Sequence, residues 1–362
     1  MLAGAAAESN LPRVALLTEN FTNEAPLSDR VREAISAALE QGWADPKKLT
    51  QASHRALSLR TSAIEEFAAQ LQVSPGVIEV TSEPQLLHHF SLQGFLTPES
   101  SLYTSTVDLG KIRAVARAHR GTSLQMDVGS NGEIALPETL ASGDVVSLQV
   151  ENGETGIHQN LEPWRSLPAR VILDATKSIP SAGLTDGFSA ATFDAQSWNG
   201  PSSLGFLIIN ENESYRYPFA HIAPIRVPGS YSLPLLVGAT IALHEYLEVK
   251  NQIDELRNFM ALQLRKVSGL TVIGSAEPSR YLSTIVDGFS GEEVLRAMLQ
   301  VGVSIDSGSA CSPEDLAPSH VIGALGLPTT GHLRFTMHPG MAQVDIENLV
   351  TQLEKTLQSL RS

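Results

Sequence analysis

Cysteine is nearly absent: Cys311 is the only one in 362 residues, so no internal disulfide can form and a reducing cytoplasm suits the chain. Basic residues are scarce beside acidic ones, 25 Lys and Arg against 39 Asp and Glu, which gives a formal net charge of -14. With no Lys/Arg-rich run to meet phosphates, nucleic acid is excluded as a partner. Long apolar runs are missing too. The longest, Leu233 to Leu247, holds Pro234, His244 and Glu245 and is too short to span a membrane. The first residues, Met1 to Glu8, carry no basic segment ahead of an apolar one, so no export signal is expected. There is no CxxC, HExxH, GxGxxG or P-loop, and no repeat or low-complexity tract. His88 and His89, adjacent on a helix, would point in different directions and make a poor metal pair.

What the chain does have is an alternation of short β-rich runs and helical patterns. The runs are Val77–Val80, Ser101–Thr104, Val145–Leu148, Val171–Leu173, Ala190–Phe193 and Leu204–Ile208, with helices between them at Ser62–Gln70 and Lys111–His119. That order predicts an α/β fold with a mostly parallel central sheet. After Gly229 the pattern changes to helices over Leu233–Val249 and Asp254–Val267, strands over Thr271–Ile273, Ser283–Val286 and Leu333–Thr336, and a last amphipathic helix, Val344–Leu360. The expected organisation is a large α/β domain over 26–230 and a small α+β domain made of 1–25 plus 231–362.

Cys311 sits in Ser307-Gly308-Ser309-Ala310-Cys311-Ser312, a loop of small polar residues after the apolar run Val301–Ile305. Such a loop exposes a thiol as a nucleophile needs; the other reading is an inert apolar filler. The nearest charges in sequence, Asp306, Glu314 and Asp315, oppose thiolate formation.

This loop, followed by Leu316, Pro318-Ser319, Val321, Ala324–Leu327 and Leu333-Arg334-Phe335, closely resembles the C-terminal signature of the NifS/IscS-type cysteine desulfurases, pyridoxal-phosphate enzymes of the class V aminotransferases. Asn152–Gly156 resembles the family's N-N-E-T-G, Leu173–Thr176 its V-D-A-T, and Gly229–Gly238 its G-T-x-x-x-x-x-x-x-G. The similarity runs from about Leu16 to Leu360 and implies fold type I and a homodimer. In that dimer Ser230 stands for the threonine that reaches the neighbour's phosphate. It further implies that Asp174 would pair with the pyridine nitrogen, Arg334 would hold an α-carboxylate, and Cys311 would accept sulfur as a persulfide. Asn152 falls in the cofactor-binding set on the same ground. Read as residues alone, Asp174 is a strand-end cap and Arg334 a surface or ion-paired arginine.

Against the family pattern stand several substitutions. In Phe193-Asp194-Ala195-Gln196-Ser197-Trp198-Asn199-Gly200-Pro201, Ser197 takes the place of the Schiff-base lysine, Gln196 that of the preceding histidine, and Asp194 that of a phosphate-binding serine. The family's T-S-G-A-T becomes Thr81-Ser82-Glu83-Pro84-Gln85, and Leu109 replaces the ring-stacking histidine. Pro84 removes a donor and Glu83 adds like charge where a phosphate should bind. Each close carboxylate–phosphate pair costs about 4 kcal/mol at an effective dielectric of ~20. Pyridoxal phosphate is therefore the cofactor implied by the resemblance, with an altered site to hold it.

The expectation is a cytoplasmic homodimer that is non-catalytic for the family reaction, a sulfur relay or a protein partner acting through Cys311 with a sulfur acceptor or scaffold. The alternative is an active pyridoxal-phosphate enzyme, desulfurase or aminotransferase-like, using Lys177 or a noncovalently held cofactor. Lys177 otherwise reads as a counter-ion to Asp174, Asp194 or Glu83. A third reading has the emptied pocket attract a carboxylate with Arg334 and Lys177.

Overall fold

The structure, a computed structural model, describes residues 19–221, 231–274, 277, 279–308 and 318–361. Helices α1 (Asp29–Gln41) and α2 (Gln51–Leu71) come first, each started by a hydroxyl cap: Ser28 accepts from the Val31 N–H and Thr50 from the Ser53 N–H. Then follow β1 (Ile78–Thr81), α3 (Leu87–Gln93), β2 (Leu102–Ser105), α4 (Gly110–Ala118), β3 (Ser123–Met126), β4 (Val145–Gln149), β5 (Arg170–Asp174), β6 (Ala190–Asp194) and β7 (Gly205–Ile209). The C-terminal part holds α5 (Leu233–Leu264), β8 (Leu270–Ile273), β9 (Tyr281–Val286), α6 (Gly291–Gln300), α7 (His320–Ala324), β10 (His332–Thr336) and α8 (Gln343–Arg361).

Seven strands form one sheet in the order β3-β2-β4-β5-β6-β7-β1. The pairs from β3 to β6 are parallel; β7 is antiparallel to both β6 and β1. The mostly parallel α/β sheet expected from the alternating pattern is thus present. Strands β4 and β7 are buried along their whole length because helices cover both faces. On one face Phe90 of α3 and Ile112 of α4 pack on Leu102, Ile172 and Leu207. On the other, Phe67 of α2 stacks on Phe206 at 3.9 Å and Leu236 of α5 joins the same core. A second, antiparallel sheet, β10-β9-β8, belongs to the C-terminal part.

Two expected helices are one. Helix α5 runs unbroken through 250–253 because that interval holds no Gly or Pro, and a Lys250–Asp254 ion pair at 2.7 Å staples one turn to the next. Despite its 32 residues, α5 carries charged side chains from Glu245 to Arg257, and no helix among the described residues is long and apolar enough to cross a membrane.

Candidate active-site cleft

Register fixes the site. Gln149, Asp174 and Thr192 are successive partners across β4, β5 and β6, while Thr81, Gly205 and Asp194 are partners across β1, β7 and β6. The carboxyl ends of β1, β2, β4, β5 and β6 therefore open on one edge, where α/β sheets place ligands. Asp108, Asn152, Asp174, Asp194 and Ser197 follow those strand ends.

Asp174 is 4% exposed. Its Oδ1 accepts from the Thr176 N–H at 3.0 Å and from the Thr176 hydroxyl at 2.6 Å, so it does cap the next turn, and His88 Nε2 lies 3.1 Å from the same oxygen. Burial pushes the acid up, but the His88 charge and bond, then the Thr176 donors, outweigh it and hold the carboxyl at about 2. Oδ2 has no partner among the described residues. Beside it Asp108 is fully buried, with Oδ2 receiving the Ser105 N–H at 2.7 Å and Oδ1 unpartnered. Burial raises Asp108 to about 8; the Ser105 N–H works against that and the Asp174 charge adds to it, so Asp108 is a neutral acid at pH 7.

Asn152 does not aim its amide freely. Its Oδ1 gathers the N–H groups of Glu154 and Thr155 and the Thr155 hydroxyl, and its Nδ2 donates to Gln149 at 2.9 Å. It builds the turn that carries Gly153. The stem of Lys177 lies over that glycine: a Cβ at position 153 would stand 2.7 Å from Lys177 Cγ. Arg334, on β10, is ion-paired to Asp306 at 2.7 Å and donates to the Gly153 carbonyl at 3.2 Å. The expected carboxylate clamp thus faces the cleft with a protein carboxylate already on it.

At the other end of the cleft, Asp194 caps a short 3-10 turn, Ala195–Trp198, through the Gln196 N–H at 3.1 Å. Partial burial raises Asp194 above the usual carboxylate range; the Gln196 N–H and the charges of Lys177, Lys111 and His88 pull it back. The Lys111 ammonium, on the first turn of α4, is lowered by partial burial and by Lys177, against Asp194 and Asp174. Gln196 uses its backbone here and is half-buried. Ser197 is 2% exposed; its hydroxyl donates to the Thr176 carbonyl at 2.5 Å and its carbonyl accepts from Arg280 Nη1 at 2.6 Å. The Glu83 N–H is taken by Thr81 Oγ1 at 3.0 Å, and Pro84, buried, has none to give. Leu109 packs against the α3/α4 core.

The structure therefore brings Asn152, Asp174, Lys177, Gln196, Ser197 and Arg334 to one cleft; Cys311 and Ser230 lie outside the described residues. Sequence reasoning missed His88, Asp108, Lys111 and Arg280 as members. His88 and His89 do diverge, His88 inward to Asp174 and His89 onto the Phe219 ring at 5.3 Å, so the adjacent pair held the signal for one buried imidazole.

No family model matches the chain. It is 27% identical over 263 residues to cysteine desulfurase 2 of Trichormus variabilis, covering 66% of this chain and 65% of that protein, just under two thirds of it. It is 25% identical over 368 residues to a cysteine desulfurase of Klebsiella pneumoniae, covering 93% and 91%. Among solved structures, a NifS-like protein superposes with a TM-score of 0.83 at 19% identity, covering 94% of this chain and 99% of that one.

Proposed function

Because the chain is a homologue of the NifS-like cysteine desulfurases by sequence and by fold, we propose that it is a homodimeric relative that no longer carries out their pyridoxal-phosphate chemistry and instead relays sulfur through Cys311. The observation that carries this reading is the Ser197 hydroxyl, buried and bonded to the Thr176 carbonyl at 2.5 Å. A group so placed supplies no amine to an aldehyde.

The fit of the cofactor divides along the cleft. The unpartnered Asp174 Oδ2, on a carboxyl held at about 2, suits a pyridinium nitrogen. The opposite end does not suit a phosphate: Asp194 is a carboxylate, the Glu83 N–H is engaged by Thr81, and Pro84 has no N–H. We therefore derive no step through the cofactor. In the relay, the Cys311 thiolate attacks the terminal sulfur of a donor persulfide, the donor S–S bond breaks, and the donor leaves as a thiolate. No external oxidant is needed.

A second reading rests on one observation: Lys177 and Lys111 both influence Asp194. Either amine could then serve an active enzyme of the same family, with Asp174 at the ring nitrogen. One experiment separates the two. Full-length protein is mixed with pyridoxal phosphate and cysteine, and separately with glutathione persulfide. The relay predicts no borohydride-bleachable yellow band, no sulfide release, and persulfide on Cys311 that Cys311→Ser abolishes. A bleachable band lost in Lys177→Ala or Lys111→Ala, with sulfide release from cysteine, overturns it in favour of the enzyme.

A further inference from the structure

Arg280, at the start of the small sheet, is 3% exposed, and its known partners are all neutral. Nη1 donates to the Ser197 carbonyl at 2.6 Å and Nη2 to His338 Nδ1 at 2.9 Å, while the Tyr246 and Tyr281 rings flank the guanidinium at 5.7 Å each. No described carboxylate forms an ion pair with it, and Nε has no hydrogen-bond partner. A buried cation in this condition calls for an anion.

The wall that Arg280 forms belongs to a cavity of about 190 Å³, bounded by the end of β4, the segment 177–184 and the middle of α5. It backs onto the cleft and shares Lys177 and Arg280 with it, but Asp174, Asn152, Asp194 and Ser197 do not line it. Lys177 and Lys250 add positive charge to its walls, and Glu151 and Asp254 negative charge, so with Arg280 the balance is one positive charge when His158 is neutral. Lys250 is held by Asp254 at 2.7 Å, and Glu151 receives the Ser279 hydroxyl at 2.5 Å and lies 3.5 Å from His158 Nε2, which leaves Arg280 and Lys177 as the wall cations with no ion-pair partner among the described residues. Ser178, also on the wall, is 4% exposed, with a hydroxyl that has no partner among the described residues. Ile179, Pro180 and Leu184 give the cavity an apolar side. Its volume is below the ~300–1,000 Å³ of sites for drug-sized ligands.

We propose that this cavity binds a small aliphatic monocarboxylate, its carboxylate received by Arg280 Nε and the Ser178 hydroxyl and its short body lying on Ile179, Pro180 and Leu184. One negative charge matches the walls; a dianion would meet Glu151 and Asp254. The site is independent of whether Cys311 relays sulfur. Because Arg280 also holds the Ser197 carbonyl and Lys177 lies on the cavity wall, occupancy touches the cleft from behind.

The test uses the full-length protein with butyrate and, as its uncharged counterpart, butyramide, at constant ionic strength, followed by thermal unfolding and titration calorimetry. Butyrate is expected to raise the unfolding midpoint in a concentration-dependent way and butyramide to leave it unchanged. Arg280→Met should abolish the response. Should that variant fail to fold, Leu184→Trp, which narrows the cavity and removes no hydrogen bond, should weaken butyrate at least tenfold, and Ser178→Ala severalfold. Equal responses to butyrate and butyramide, full retention of butyrate binding in Leu184→Trp and Ser178→Ala, or inorganic phosphate binding in preference to butyrate would overturn the proposal.

Discussion

The two ends of the cleft are built on opposite electrostatics, although Thr176 bonds to both Asp174 and Ser197. At the Asp174 end a buried carboxylate is kept ionised by His88 and Thr176, with one oxygen unpartnered among the described residues and a neutral acid, Asp108, alongside. At the Ser197 end a hydroxyl is closed onto a backbone carbonyl, and a half-buried carboxylate, Asp194, lies under the influence of two lysines. The first end hangs on strand register and on a histidine from a core-facing helix, so it is tied to the fold itself. The second hangs on a single 3-10 turn whose hydrogen bonds are complete without a long side chain. A sheet edge of this kind can thus change one end of its site while the other stays in place.

The largest expected effect comes from breaking the Asp174 end. His88→Leu leaves a buried carboxylate without its imidazole partner and should cost about 3–5 kcal/mol at pH 7, read from denaturant unfolding. Asp174 sits below its ordinary 3.8, so its contribution is present above that value and is lost as pH falls through about 2. In the variant this acid limb should move to higher pH. A loss under about 1 kcal/mol would mean that the two ends do not differ in charge as described.

Asp108→Asn sharpens the comparison in the opposite direction. The folded value of Asp108, about 8, lies above its ordinary 3.8, so the native state holds the proton more tightly and stability declines as pH rises between those two values. Each unit is worth up to about 1.4 kcal/mol. The amide removes that decline, and the variant should gain stability over the parent by a few kcal/mol at pH 8 and little at pH 4. Parallel pH profiles for the two proteins would refute a buried neutral acid there.

The smallest effect is expected at the other end. Ser197→Ala removes one hydrogen bond to a buried carbonyl and should cost about 1 kcal/mol in thermal or denaturant unfolding. It should leave the response to added pyridoxal phosphate unchanged. If the alanine variant instead altered cofactor binding, the hydroxyl would be part of a ligand site and the contrast between the two ends would narrow.

Much of this architecture was legible in the residues. Val145-Val146 and Val171-Ile172-Leu173 read as strands because both faces of the sheet are covered and apolar runs result. Strand β3 escaped because three of its four residues are exposed at the sheet edge, so no periodic pattern marks it. Helix α5 read as two because its polar middle resembles a boundary, although that interval holds no Gly or Pro and the Lys250–Asp254 pair bridges it. In the site, Asp174, Lys177, Ser197 and Arg334 were singled out by motif position. His88, Asp108 and Arg280 carry no motif, and their importance arises from burial and from partners distant along the chain, such as Asp174 for His88 and Ser197 for Arg280.

The bond from Arg280 to the Ser197 carbonyl joins a strand of the small sheet to a turn of the large one. His338, which receives the same guanidinium, is tied through Nε2 to the Thr22 carbonyl at 2.7 Å, so the segment around residue 22 is fastened to the same knot. Swinging the small sheet away would strip this guanidinium of its acceptors and its aromatic flanks together. The seam therefore acts as a weld that ties the small sheet, the turn at Ser197 and the segment around residue 22 to one buried cation.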